Sequence, residues 1–190
     1  VEFISVAHSI PASNALAIRT PAGTVLHTGD WKIDPTPLAG SKTDSERLTA
    51  LGDAGVLALI GDSTNAVRDG RSPSEADVAK TIAELVRTAP GRVAVTTFAS
   101  HVDRIRAVAD AARAADREIV VVGRAMERVI GVARETGYLD GVQDFHDARS
   151  YGYLQADKVL ALCTGSQGEP RAALSRIAEG QHPEVTLGRA

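Results

Sequence analysis

The chain has 190 residues, 44% hydrophobic and 24% charged, with a formal net charge of −3. These proportions belong to a globular chain and exclude disorder, a collagen-like repeat and a wholesale basic nucleic-acid binder, though a local basic pocket escapes that test. The single cysteine, Cys163, excludes a disulfide framework and multi-cysteine zinc sites and fits a reducing, cytoplasmic compartment.

Val1 opens straight into VEFISVA with no initiator methionine and no leader, so the chain is expected to be a piece of a longer protein. Three short strands are expected over 1–7, 15–20 and 24–29, separated by Pro11–Ser13 and by Pro21-Ala22-Gly23, which is hairpin turn chemistry. Residues 34–55 carry Pro35, Pro37, Gly40 and Gly52 and are read as loose, with a helical turn over 45–51. From residue 56 the pattern changes. VLALIG (56–61), RVAVTTF (92–98), EIVVVG (118–123) and KVLALCTG (158–165) are apolar runs of strand length, and the segments 75–89, 102–115, 125–137 and 171–180 have helical periodicity. Strands of this kind alternating with amphipathic helices predict an α/β fold with a mainly parallel sheet covered on both faces. Ser72 with Pro73 and Glu75, and Ser100 with Asp103, read as helix N-caps, and Gly137 reads as the glycine just past a helix end. The final HPEVTLGRA reads as the opening of another strand. No apolar run reaches the ~18 residues that cross a bilayer, so no membrane partner is expected.

In open α/β sheets ligands bind beyond the carboxyl ends of the strands. The four late strands end in Asp62-Ser63-Thr64-Asn65, in Thr97–His101, in Gly123-Arg124 and in Thr164–Glu169. Small hydroxyls, glycines and an arginine at helix starts suit a phosphate, because free amides and the helix dipole both favour an anion. The plainer reading makes Ser100 and Ser166 helix caps. Thr164-Gly-Ser-Gln-Gly lacks the first glycine of a nucleophile elbow, no Lys-Ser/Thr follows Gly168 as a Walker-type loop needs, and no G-x-G-x-x-G follows a strand. Near the start, His8 and Asp30 each follow a strand and offer donors for a zinc or manganese ion, although two ligands do not make a site.

The phrases HSIPAS (8–13), HTGDWKID (27–34), DSTNA (62–66), TTFASHVDRI (96–105), GRAMERV (123–129) and LCTGSQGEPRAALSRIA (162–178) together resemble the bacterial ribonuclease J family. That resemblance implies a metallo-β-lactamase αββα sandwich with an inserted β-CASP domain, here as a partial first part over 1–71 and β-CASP over 72–190. It implies that His8 and Asp30 are catalytic metal ligands, Asp30 bridging two divalent ions, zinc or else manganese. Asp62 resembles the acidic residue of the first β-CASP motif. Ser100 matches a serine that holds an RNA phosphate near the 5′ end, with His101 beside it and Ser166 as a weaker RNA contact. The implied protein is a 5′→3′ exonuclease, with endonuclease cutting also seen in the family, acting on single-stranded 5′-monophosphorylated RNA as a cytoplasmic homo-oligomer, a dimer or a tetramer.

The chain departs from the family pattern at His101, Ala125 and Trp31, where Asn, Ser and Phe are usual. The H-x-H-x-D-H phrase, expected before Val1, and the C-terminal H-x-S-G-H-type segment are absent, so the piece alone is expected to be inactive. Two alternatives stay open: a β-CASP or metallo-β-lactamase-fold hydrolase with another substrate, and a non-catalytic RNA-binding or assembly subunit.

Overall fold

The alternating residues of the first thirty positions form an antiparallel meander of β1 (Glu2–Ser5), β2 (Asn14–Thr20) and β3 (Gly23–His27) in the computed structural model, which describes residues 1–186. Pairing of Ile4 with Ala15 and of Ala17 with Leu26 puts these four side chains on one face. They bury there with Leu51 from α1 (Ser45–Ala54), while Leu48, Trp31 and Val56 close the margin. The helical turn expected at 45–51 is therefore a ten-residue helix. Its N-cap is Asp44, whose carboxylate accepts the Arg47 amide at 2.9 Å.

The run 56–61 corrects the sequence reading. Its strand, β4 (Ala58–Ile60), pairs in parallel with β3, making a four-stranded sheet of order β1-β2-β3-β4. It does not join the later strands, and all three of its residues are exposed. An apolar run this short reads the same at a sheet edge as in a sheet centre, and pairing partners alone distinguish the two.

β5 (Val93–Thr96), β6 (Glu118–Val122) and β7 (Val159–Cys163) form a wholly parallel sheet of order β5-β7-β6. The last strand in sequence is the central one and is buried along its whole length. Alternation divides the apolar side chains between two faces. Ile119, Val121, Leu160 and Leu162 pack with Ile105, Val108, Met126 and Ile130 from α3 (Val102–Ala114) and α4 (Arg124–Glu135). Val120, Val122, Val159, Ala161 and Cys163 pack with Tyr151, with Val185 and with Ala173 and Ile177 of α5 (Ala173–Ala178). The predicted sheet covered on both faces is present, with three strands rather than four.

Contacts divide the chain into two units, Val1–Ala76 and Asp77–Ala190. The expected caps need correcting. The helix after Pro73, α2 (Glu75–Thr88), starts two residues beyond that proline, and its first amide donates to Asp34 Oδ2 at 3.0 Å, a partner distant in sequence. α3 starts one residue later than the Ser100 cap requires. Residue His101 occupies the N-cap position without a side-chain capping bond to the helix, and the Val102 amide turns back onto the Ser100 carbonyl at 3.0 Å. Gly137 does follow the C-cap Thr136 with a φ of 80°, donating to the Arg134 carbonyl at 3.1 Å. The strand expected in 182–190 is not formed over 182–186, where the His182 ring accepts the Glu184 and Val185 amides and turns the chain; residues 187–190 lie outside the described part. Among the described residues no helix is long and apolar enough to cross a membrane.

Candidate functional site

In the first unit β1, β3 and β4 run in the same direction, so the segments that leave them emerge at one end of the sheet. His8 follows β1, Asp30 follows β3 and Asp62 follows β4. An antiparallel bridge between Ala7 and Lys32, with the Lys32 amide 2.8 Å from the Ala7 carbonyl, draws the His8 and Asp30 segments alongside each other. Thr43 clamps that bridge: its hydroxyl accepts the Ala7 amide at 2.9 Å and donates to the Lys32 carbonyl at 2.8 Å.

Asp62 is tied to the same place by Thr28. The buried Thr28 hydroxyl accepts the Asp62 amide at 3.1 Å and donates to the Gly29 carbonyl at 2.7 Å, while the Thr28 amide bonds the Ile60 carbonyl at 2.9 Å. The Asp62 carboxylate accepts the Thr64 hydroxyl at 2.6 Å and the Thr64 amide at 2.8 Å. Those two bonds, then the charge of His8 and the Trp31 amide, hold its pKa below the usual carboxylate range against the effect of burial. Asp62 is thus an ionised acceptor within electrostatic reach of His8. Sequence reasoning missed Thr28 and Thr43, whose hydroxyls hold the three segments. Thr28 stands inside the HTGD phrase, and its place directly before the turn was the only signal.

Behind this end Lys32, Asp34 and Glu75 form an ion cluster. Lys32 Nζ lies 3.1 Å from Asp34 and 2.7 Å from Glu75, and both acids are buried. Burial would raise the Asp34 pKa, but the Thr36 and Glu75 amides and the Lys32 ammonium outweigh it and lower it. For Lys32 burial opposes protonation, and the two carboxylates reverse that and raise its pKa.

As a test of metal fit, His8 offers an imidazole and Asp30 an exposed carboxylate, the right donor chemistry for zinc or manganese. The number is insufficient. Among the described residues no group of three or more His, Cys, Asp or Glu side chains stands together to hold an ion. These residues do not by themselves form a metal centre.

The second unit has its own polar end. The Thr97 amide bonds the Cys163 carbonyl at 3.1 Å, which aligns the exits of β5 and β7 and sets the Ser100-His101 turn beside the Thr164–Glu169 loop. Gly123 and Arg124 leave β6 on the other side of β7. So three of the four polar strand ends expected on one rim share a sheet, and Asp62 belongs to the other. The Ser100 and Ser166 hydroxyls make no hydrogen bond among the described residues, and neither caps a helix. Thr164 does the capping-type work instead, accepting the Ala173 amide at 3.2 Å. Gly165 is required in that loop, because its φ is 125° and an added Cβ would lie 2.8 Å from the Leu174 Cβ. Cys163 is buried, its pKa pushed up to about 11, so its thiol is inert packing.

A helix-covered parallel sheet bearing hydroxyls and an arginine on its rim, joined in sequence to a sheet whose end gathers a histidine and two aspartates, is the plan of a β-CASP protein of the metallo-β-lactamase superfamily. Residues 90–190 match the family described as Ribonuclease J, beta-CASP domain. Ribonuclease J of Sinorhizobium meliloti is 53% identical over 98% of this chain, that of Mycolicibacterium smegmatis 49% over 98%, and that of Thermus thermophilus 41% over 98%. The chain belongs to the ribonuclease J family. It spans about a third of the length of these curated relatives, 33%, 34% and 33% respectively. A crystal structure of a protein of unknown function from Enterococcus faecalis V583 shares the fold, with a TM-score of 0.57 and 17% identity over 87% of this chain and 41% of that one.

Proposed function

We propose that the chain is part of a cytoplasmic, homo-oligomeric ribonuclease that degrades single-stranded 5′-monophosphorylated RNA, 5′→3′ from the end and also internally. The observation that carries this reading is the gathering of His8, Asp30 and Asp62 at one sheet end by the Ala7–Lys32 bridge and the Thr28 hydroxyl, in a chain whose relatives are ribonucleases J. His8 and Asp30 are assigned as two ligands of a centre for two divalent ions, zinc or manganese, which needs further donors. Asp62 does not need to be a ligand. Its Oδ1 already accepts both the Thr64 amide and the Thr64 hydroxyl, and its negative charge lies within electrostatic reach of the His8 ring.

The 5′ phosphate is assigned to the exits of β5 and β7. Ser100, His101 and Ser166 present donors there. The Ser100 hydroxyl carries no structural hydrogen bond among the described residues and is available to a ligand. A monoester with two charges gains more from such donors than an internal diester does, which gives a preference for the end of the chain.

The test is cleavage by the complete enzyme carrying Asp30→Ala, with RNA binding measured in parallel. Loss of turnover with binding retained supports the reading, because backbone contacts along the RNA supply most of the affinity. Turnover at the wild-type rate removes Asp30 from the centre. A wild-type protein that binds RNA and never cleaves it would establish the non-catalytic subunit instead.

A further inference from the structure

We propose that the hollow at the carboxyl end of β6 is a binding site for the phosphate of a nucleotide, separate from the Ser100 turn and independent of the nuclease reading. It has a volume of about 580 Å³ and is walled by the start of α4, by residues 147–149 and by Arg176 with residues 182–184.

The charges around it are not all available. Arg149 is matched by Glu184 at 3.3 Å, and the Asp147 carboxylate accepts the Arg149 amide at 2.9 Å. Arg124 makes no hydrogen bond or ion pair among the described residues, and Arg176 uses one N–H on the Gln181 carbonyl at 3.2 Å. Two guanidinium groups therefore face the hollow with most of their donors unused.

His182 supplies a third donor. Its Nδ1 accepts the Glu184 amide at 3.3 Å and the Val185 amide at 3.2 Å, so the neutral ring carries its proton on Nε2. Burial, then the charge of Arg176, lowers its pKa against the pull of Glu184, which keeps it a neutral donor. The first turn of α4 adds its amides and dipole, with Gly123 at the N-cap providing no competing side chain.

The ligand is a nucleotide rather than a bare anion because a second hollow, of about 320 Å³, shares Glu127 and Asp147 with the first. Val121, Ile130 and Phe145 line it, with the Arg134 guanidinium 5.1 Å from the Phe145 ring centre, surfaces that suit a flat base. The two shared acids offer carboxylate acceptors for the hydroxyl donors of a ribose bridging the hollows.

The test is titration of the 190-residue chain with inorganic phosphate and with 5′-uridine monophosphate, followed by ¹H–¹⁵N spectra of the arginine and histidine side chains. Saturable shifts at Arg124, Arg176 and His182 are expected with both, and the nucleotide should bind at least about threefold more tightly. Arg124→Ala and Arg176→Ala should each weaken both ligands about tenfold or more. Arg87→Ala, a surface arginine paired with Glu84, should have no effect. Arg124 is exposed and bonds nothing among the described residues, so Arg124→Ala should keep the wild-type melting temperature. Displacement of the nucleotide by a 5′-hydroxyl hexauridylate would assign the site to internal phosphates, and failure to displace it would assign the site to a terminal monoester; both uphold the site. Absence of saturable shifts at millimolar phosphate, equal affinity for phosphate and nucleotide, or unchanged affinity in both arginine variants overturns it.

Discussion

The two units use similar apolar strands in opposite ways. β7, Val-Leu-Ala-Leu-Cys, is buried at every residue, whereas β4, Ala-Leu-Ile, is exposed at every residue, with Leu59 65% accessible. Composition does not separate them. Position does: β7 lies between two strands with helices on both faces, and β4 is an edge strand with a single partner. Their polar ends differ as well. The first unit brings an imidazole and carboxylates to one sheet end on segments tied by threonine hydroxyls, donor types that suit cations but are too few among the described residues to hold one. The second presents hydroxyls and arginines at helix starts, suited to anions.

The largest expected effect belongs to the first end. In the complete enzyme Asp30→Ala should lower kcat by at least about a thousandfold, or ~4 kcal/mol of transition-state stabilisation, with RNA affinity changed only a few-fold. Single-turnover cleavage beside filter binding measures both, and a loss smaller than about tenfold breaks the contrast between the two ends.

Burial can be tested by one substitution in each sheet. Leu162→Ala removes a side chain with 0% exposure and should destabilise the second unit by ~2–5 kcal/mol, while Leu59→Ala should stay within about 0.5 kcal/mol. Urea denaturation of the two variants decides it. Equal losses would mean that β4 is covered in solution.

Ser100→Ala sharpens the difference in ligand chemistry. A lost hydrogen bond to a phosphate should cost ~1.5–3 kcal/mol, which is roughly ten- to a hundred-fold in kcat/KM on 5′-monophosphorylated RNA. RNA with a 5′ hydroxyl should be nearly unaffected. Because Ser100 caps no helix, the melting temperature should not move. An unchanged ratio of rates on the two ends removes Ser100 from the site.

The smallest effect is acid sensitivity at Asp34. Its folded pKa lies below the ordinary value, so its contribution is fully present above the unfolded pKa and is lost as pH falls through the folded pKa. Asp34→Asn should therefore be less stable than wild type at neutral pH, and the gap should narrow below about pH 4. Denaturant midpoints across that range check it, and a gap that persists in acid would assign the loss to packing rather than charge.

Much of the architecture was legible in the residues. The meander of 1–29 follows from two-residue alternation broken by proline and glycine, and the parallel sheet follows from Val/Ile/Leu runs between amphipathic helices. Family membership was readable too, because HTGDWKID and LCTGSQGEP are long phrases with few physical reasons to recur by chance. The helix starts were not readable. Ser72-Pro73 and Ser100 both have capping chemistry, yet α2 takes its first acceptor from Asp34 and α3 begins at Val102.

The sequence by itself determined most of the strand and helix segments, though not the strand expected from 182, and which residues have the chemistry to bind metal or phosphate. Those properties depend on side chains a few positions apart and on intrinsic donor types. Only the tertiary structure decided that the 56–61 run belongs with β3, that the last strand is the central one, and that Thr28, Thr43 and Trp31 tie the segments carrying His8, Asp30 and Asp62 at one end of the sheet. Those outcomes rest on hydrogen bonds between residues tens of positions apart. Local periodicity contains no term for such pairings, because each becomes favourable only after the segments between have folded and brought the partners within about 3 Å.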